Sequence, residues 1–144
     1  MATMEQRHKD LSRRFHEEVW GNRNLEYIDE QIAADFIGHD PGLPEPVRGP
    51  EGVRETAEMF QSGFPDAEVE IEHMVAEDSL LAVHRRLTGT HEGAFMGIEP
   101  TGMEIEVPGI AIYRFEDGNI VEEWQIVDNL GLFVQLGVVE PPNG

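Results

Sequence analysis

The sequence predicts an α+β fold in which N-terminal helices pack on a curved antiparallel sheet around a pocket for a small, mostly apolar ligand. Apolar residues recur at helical spacing through the first third of the chain, and most of the remainder alternates with a period of two. Helices followed by a meander of strands are typical of an α+β layered fold rather than a βαβ sheet. The length of 144 residues is a common size for one domain. A sheet that curls over its helices leaves a cavity at its open end, which is a usual place for a ligand.

Three helices are predicted before residue 65. Each carries an apolar stripe with spacings of three or four residues: Leu11, Phe15 and Val19, then Leu25, Ile28 and Ile32, then Val53, Ala57 and Phe60. The first helix ends near Gly21, and Asn24 can cap the second. After a loop at residues 38–48, Pro50 lies at the start of the third helix, which ends near Gly63.

Strands dominate the chain after residue 67. The predicted strands occupy residues 68–75, 80–90, 103–115 and 119–127. The first alternates apolar residues and a histidine with glutamates, which indicates a half-buried strand with an acidic outer face. The last two form a hairpin around Asp117-Gly118, preceded by a Gly/Pro-rich loop at residues 93–102. A short helix with an apolar face follows and ends at Gly137.

The register of this hairpin has two alternatives. A two-residue turn at Asp117-Gly118 places Ala111 beside Trp124, whereas a three-residue turn with Gly118 in a bulge shifts the register by one. In the shifted register Ala111 and Tyr113 share a face with Gln125, and Ile120 lies on the other face. Both alternatives leave two largely apolar faces, and one small domain can bury only one of them against its own helices. The second face predicts a homodimer through the sheet, unless loops cover it.

Cysteine is absent, which excludes disulfides, thiolate nucleophiles and cysteine-ligated zinc. None of the six histidines lies in an HxH or HExxH pattern, so no metal site is predicted. We expect no cofactor.

The net charge is unusually negative. Twenty-nine acidic residues against ten basic ones give −19, and Lys9 is the one lysine. Such a field repels phosphate backbones and anionic lipids, so neither a nucleic acid nor a membrane is expected as a partner. The acids are spread along the chain, which favours a surface adapted to a high-salt cytoplasm over an acidic interaction surface. The chain has no apolar run long enough to span a bilayer, and residues 1–5 lack the apolar stretch of a signal peptide; we therefore expect a cytoplasmic protein.

Four segments carry a resemblance to a known family. They are DFIGHDP (residues 35–41), RGPEGV (48–53), THEGAFMGIEPTG (90–102) and YRFEDGNIVEEWQIVDNLGLFVQLG (113–137). Together they resemble the SnoaL-like polyketide cyclase family of the nuclear-transport-factor-2-like superfamily. The resemblance implies a cone-shaped, cystatin-like α+β barrel that is usually dimeric or larger, encloses an apolar pocket and uses neither cofactor nor metal.

The resemblance does not carry the family's mechanism over intact. The family's cyclases close a ring by an intramolecular aldol reaction, with an aspartate three residues before a second aspartate and a histidine on the preceding strand. In this chain the second aspartate is Asp128, the catalytic aspartate falls on Gln125 and the histidine falls on Ala111. Glutamine cannot take a proton near neutral pH, and alanine can neither donate nor accept one.

Three residues remain as candidates for proton transfer. Asp128 can supply the missing base, or it can cap the terminal helix. His39 and Asp40 can act as a pair at the cavity rim, or they can be solvated turn residues. Gln125 and Tyr113 can orient a ligand by hydrogen bonding. Candidate wall residues, each of which can also be ordinary core, are Trp20, Phe36, Phe60, Phe95 and Met96.

The functional hypotheses fall into three classes. The first is an enzyme acting on a small hydrophobic carbonyl compound or ester by aldol-type, lyase or isomerase chemistry. An epoxide-hydrolase-like variant needs two carboxylates and an arginine, for which Asp128 with Arg85 or Arg114 is the candidate set. The second class is a binding protein without catalysis, and the third is an accessory subunit recruited through its dimer surface.

Overall fold

The structure is a computed structural model that describes residues 2–142. The elements in chain order are α1 (Met4–His16) with a π-helical turn (Glu17–Gly21), α2 (Tyr27–Gln31), β1 (Ile32–His39), β2 (Val47–Arg48), α3 (Gly49–Gly63), β3 (Glu68–Glu77), β4 (Leu80–Thr90), β5 (Glu104–Glu116), β6 (Asn119–Val127) and α4 (Asn129–Gln135). The strands form one curved sheet in the order β2-β1-β6-β5-β4-β3. The predicted α+β class, with N-terminal helices against a curved sheet, is confirmed.

The two long helices begin and end where local signals predict. The Thr3 hydroxyl caps α1 by accepting a hydrogen bond from the Gln6 N–H at 3.1 Å. Pro50 lies in the first turn of α3, where its missing N–H costs nothing. The Gln61 side chain donates to the Val19 carbonyl at 2.9 Å, and so ties α3 to the π-helical turn. This contact positions the end of the first helix over the sheet.

The prediction for residues 32–48 was wrong. The second helix ends at Gln31, and Ile32–His39 is strand β1 instead of a helix end and loop. β1 runs parallel to β6, with His39 opposite Trp124, and β2 pairs antiparallel with β1. The sheet is therefore not an antiparallel meander throughout. Local helix propensity at Ala33 and Ala34 was overridden because the edge of β6 offers backbone hydrogen bonds.

The β5–β6 hairpin combines features of both predicted registers. The turn has two residues with positive φ, 50° at Asp117 and 81° at Gly118, so Glu116 pairs with Asn119. A bulge then shifts the register, so that Ala111 pairs with Gln125. Because the bulge comes after Ile120, that side chain is buried on the inner face, contrary to the prediction from the shifted register.

The two faces of the sheet have different surroundings. The inner face packs against α1, α2 and α3 in a main core, and a second core lies beneath α4 and around Phe64. The outer face exposes four large apolar side chains: Ile110, Ile112, Trp124 and Ile126. Across residues 2–142, no helix has the length and apolarity needed to cross a bilayer.

Candidate functional site

A cavity of about 120 Å³ lies between the inner face of the sheet and the helices. Its walls are mostly apolar and include Phe15, Val19, Trp20, Phe36, Val53 and Phe60. A few polar side chains converge at one end: Arg85, Tyr113, Glu123, Gln125 and Asp40. Apolar walls with a small number of placed polar groups are the usual composition of a small-molecule site.

Arg85 is the centre of the polar end. It occupies an inner position of β4, and its side chain is 16 % exposed. Its Nη1 donates to the Tyr113 hydroxyl at 2.5 Å and to His16 Nε2 at 2.9 Å. Its Nη2 donates to Gln125 Oε1 and lies 3.5 Å from Glu123 Oε2. Partners from three elements, α1, β5 and β6, therefore hold one guanidinium group against the cavity.

His16 contacts Arg85 as a neutral imidazole. Its Nδ1 lies 2.7 Å from the Ser12 carbonyl, to which it donates, so Nε2 carries the lone pair that accepts from Arg85. Burial, together with the adjacent Arg85 charge, lowers the pKa of His16 to about 3. Neutral His16 therefore adds an acceptor without adding a second positive charge.

Glu123 and Tyr113 both titrate away from their ordinary ranges. Burial raises the pKa of Glu123, the nearby Asp40 charge adds to this effect, and the Arg85 charge opposes it. Burial also raises the pKa of Tyr113, so its hydroxyl keeps its proton at neutral pH. The polar end thus contains a carboxyl group that takes up a proton more easily than usual.

Asp40 completes the polar end from the residue after β1. Its Oδ2 accepts from Gln125 Nε2 at 3.1 Å, and its Oδ1 accepts from the Gly42 N–H at 2.8 Å. Gln125 therefore connects Arg85, through its carbonyl oxygen, to Asp40, through its amide nitrogen. The result is one hydrogen-bonded chain from His16 to Asp40 across the end of the cavity.

Several residues named from the sequence meet at this cavity. Gln125, Tyr113 and Asp40 line its polar end, and Arg85 contacts the first two directly. Among the predicted wall residues, Trp20, Phe36 and Phe60 line it.

Other predicted site residues lie elsewhere. Asp128 caps α4, since its Oδ1 accepts from the Gly131 N–H at 2.8 Å. The His39 ring stacks on Trp124, and its Nε2 lies 2.8 Å from Glu122 Oε2 on the outer side of the sheet. His39 and Asp40 are adjacent in sequence but do not form a pair, because successive strand residues point to opposite faces.

Four further candidates are also separated from the polar end. Phe95 packs with Phe64 in the second core, and Met96 is exposed in the 93–102 loop. Ala111 is fully buried in the main core at the position paired with Gln125. Arg114, named as an alternative to Arg85, forms outer-face ion pairs with Glu116 and Glu122.

Two residues of the polar end, His16 and Glu123, were not named as candidates from the sequence. One sequence signal could have pointed to them. Arg85 lies two residues from Val83 and from Leu87, and so on the same face of β4 as these apolar residues and Leu81. A charge at such a position requires polar partners inside the fold.

Among residues 2–142, no three histidine, aspartate or glutamate side chains come close enough to hold a metal ion.

The fold and the cavity define a class of small α+β proteins in which a curved sheet and its helices enclose a cavity. The model of the SnoaL-like polyketide cyclase family matches residues 10–136, and the chain belongs to this family. The resemblance inferred from the sequence is thus confirmed. No curated protein matches the chain.

Solved structures show the same fold over nearly the whole chain. A protein from Jannaschia sp. CCS1 assigned as a SnoaL-like polyketide cyclase is 25 % identical, with a TM-score of 0.86 over 99 % of this chain and 98 % of that one. IdmH from Streptomyces antibioticus, assigned as a polyketide cyclase, is 33 % identical, with a TM-score of 0.79 over 91 % and 99 %. AclR from Streptomyces galilaeus, assigned as a hydroxylase, is 26 % identical, with a TM-score of 0.83 over 96 % and 90 %.

Proposed function

We propose that the protein takes a small hydrophobic carbonyl compound into the cavity and catalyses a cofactor-independent reaction through its enolate, of the aldol-cyclase, lyase or isomerase type. The observation that carries this proposal is the buried guanidinium of Arg85 at the polar end of an apolar cavity that also holds the Asp40 carboxylate. Membership in the SnoaL-like family supports the reaction class.

Asp40 is the proposed base. Its carboxylate removes a proton from the carbon next to the ligand carbonyl, and the electron pair moves onto the carbonyl oxygen. Arg85 and the Tyr113 hydroxyl stabilise the resulting enolate oxygen. In an aldol step the enolate carbon attacks a second carbonyl of the same molecule, and the proton on Asp40 passes to the new alkoxide. Gln125 then serves as a positioning residue that holds Arg85 and Asp40 relative to each other.

Proton exchange tests this assignment without knowledge of the natural substrate. A hydrophobic 1,3-diketone is incubated with the protein in D₂O, and loss of its α-proton signal is followed by NMR. We expect Asp40→Asn to slow exchange by about 100-fold or more. Asp35→Asn is the matched control, because Asp35 is an exposed aspartate on β1, the strand that leads to Asp40. A wild-type protein that binds the diketone without accelerating exchange is a binding protein, and equal rates for Asp40→Asn and wild type refute Asp40 as the base.

A second candidate, epoxide hydrolysis, is favoured by one specific observation. Two carboxyl groups, Glu123 and Asp40, lie in the same network as Arg85, which is the set of groups that this reaction needs. Asp40 would take a proton from water as it attacks the epoxide carbon, and protonated Glu123 would give a proton to the opened oxygen. Formation of a diol from a hydrophobic epoxide, with no exchange of diketone protons, selects this reaction over the first.

For the assembly, we propose a homodimer through the outer face of the sheet. The apolar patch of Ile110, Ile112, Trp124 and Ile126 is exposed in the chain by itself. Arg86 neutralises glutamates at one end of this face and Arg114 at the other. In a chain of charge −19, this local neutralisation lets a second copy approach here with less repulsion than elsewhere. A second copy is thus the partner that fits the face.

For the cellular setting, we propose a cytoplasm of high salt. The net charge of −19 makes the folded chain repel itself, and dissolved salt screens that repulsion. The melting temperature should fall as salt is lowered from molar to millimolar concentration. An unchanged melting temperature over that range contradicts the proposal.

A further inference from the structure

We propose that the cavity binds its ligand as a carboxylate anion, with Arg85 as the counter-ion and His16 as the residue that positions Arg85. The inference rests on the proposed function only in placing the ligand in the cavity. It extends that function by naming the charge of the bound molecule and the residue that prepares the site for it.

The partners of Arg85 leave its charge available to a ligand. Three of its four acceptors are neutral: the Tyr113 hydroxyl, His16 Nε2 and Gln125 Oε1. Its charged partner, Glu123, is at 3.5 Å the most distant of the four. Among the described residues that line the cavity, Arg85 is the one with a cationic side chain. An anionic oxygen beside Arg85 gains a charge-assisted hydrogen bond that a neutral ligand cannot make.

Protonation of Glu123 would balance the negative charge that an anionic ligand brings into the cavity. The groups that face it are Arg85 from β4, Tyr113 from β5 and Asp40 from the end of β1. An anion beside Arg85 competes with Glu123 for the guanidinium, and both Asp40 and the ligand then repel the Glu123 charge. Because burial already raises the pKa of Glu123, anion binding should be accompanied by proton uptake at this carboxyl group.

His16 holds the guanidinium from the helix side. The Ser12 carbonyl fixes the His16 tautomer, and Nε2 accepts from Arg85 at 2.9 Å. His16 lies at the end of α1, so this bond joins the helix to an inner strand position. Glutamine can present a side-chain oxygen as an acceptor in place of Nε2, whereas leucine cannot. Comparing His16→Gln with His16→Leu therefore separates the effect of the hydrogen-bond acceptor from the effect of side-chain volume.

Isothermal titration calorimetry with hexanoate and hexanamide tests the inference, because the two probes share a chain and differ in charge. At neutral pH we expect hexanoate to bind about tenfold more tightly than hexanamide. Arg85→Met and His16→Leu should reduce this ratio toward one, and His16→Gln should restore most of it. Arg86→Met, one residue along on the opposite face, is the control and should keep the wild-type ratio. Titrations in two buffers of different ionisation enthalpy should show proton uptake on hexanoate binding, which Glu123→Gln abolishes.

The ratio distinguishes a specific role from a structural one, because general damage weakens both probes equally. Equal affinity of the wild-type protein for both probes, or binding of neither, overturns the proposal. A wild-type ratio in His16→Leu overturns the positioning role even if Arg85→Met fails to fold. Failure of the diketone exchange experiment with an intact hexanoate preference refutes the proposed reaction while supporting the anion site.

Discussion

Arg85 and Arg86 are neighbours on β4, but they point to opposite faces of the sheet and have opposite kinds of partners. Arg86 lies on the outer face and forms ion pairs with three glutamates: Glu70 at 2.8 Å, Glu72 at 3.3 Å and Glu106 at 2.7 Å. Arg85 lies on the inner face, where three neutral acceptors and one more distant carboxylate surround it. The outer arginine is neutralised by its neighbours, whereas the inner one has a single carboxylate neighbour, at 3.5 Å. Alternation along a single strand thus separates a solvent-facing ion-pair cluster from a buried guanidinium group in a mostly neutral network.

The largest expected difference between the two faces is in stability. Arg85→Met leaves Glu123 and the Gln125 oxygen without their buried donor, so we expect the free energy of unfolding to fall by about 3 kcal/mol. Arg86→Met removes only exposed ion pairs and should change stability little. Urea unfolding of both variants measures the comparison. Similar small losses in both would show that the inner network contributes no more than the outer ion pairs.

A charge introduced into the outer face tests whether this face is the interface of the proposed dimer. Ile126→Lys places an ammonium group in the exposed apolar patch, and we expect it to convert the proposed dimer into a monomer. Met4→Lys is the control, since Met4 is exposed on α1 away from that patch. Light scattering during gel filtration gives the mass of each species. A wild-type protein that is already monomeric at high salt contradicts the proposed dimer.

The inner face should also contribute a pH dependence to stability. The pKa of His16 is lowered from 6.5 to about 3 in the folded state, so below pH 6.5 the unfolded chain binds a proton that the folded chain does not. The stabilisation is complete above pH 6.5 and is lost as the pH falls toward 3. Relative to His16→Gln, the wild-type protein should therefore lose stability over this range, by up to about 1.4 kcal/mol per pH unit. If the free energies of unfolding of the two proteins change in parallel between pH 6.5 and 4, His16 is protonated as easily in the folded protein as in the unfolded chain.

The smallest effect concerns Asp128, which lies outside the inner network. Its carboxylate caps α4, so Asp128→Ala should cost about 1 kcal/mol of stability and leave diketone exchange unchanged. Asp128→Asn, which keeps a capping oxygen, should restore most of the stability. Loss of exchange without loss of stability would instead support the catalytic role predicted for Asp128 from the sequence.

The periodicity of apolar residues predicted the helices and the strands that pair with their neighbours in sequence. It failed for β1, which pairs with a strand that is distant in sequence. The stripes of α1 and α3 and the alternation of β3 to β6 were sufficient to predict these elements. β1 was missed because its two alanines favour a helix locally, and its pairing with β6 joins residues more than 80 apart, as in His39 opposite Trp124. The same partial success holds for the polar end of the cavity: Gln125, Tyr113 and Asp40 were named, whereas His16 and Glu123 were not.

The sequence by itself determined the fold class, the family, the negative charge and the presence of two apolar faces on the last hairpin, because these follow from composition and local spacing. Only the tertiary structure decided which side chains meet at the polar end. The bulge after Ile120 pairs Ala111 with Gln125 and sets the inner face of β6. The contact between Gln125 and Asp40 spans 85 residues, and that between Arg85 and His16 spans 69. Contacts over such separations depend on how the sheet closes over its helices, which no local pattern specifies.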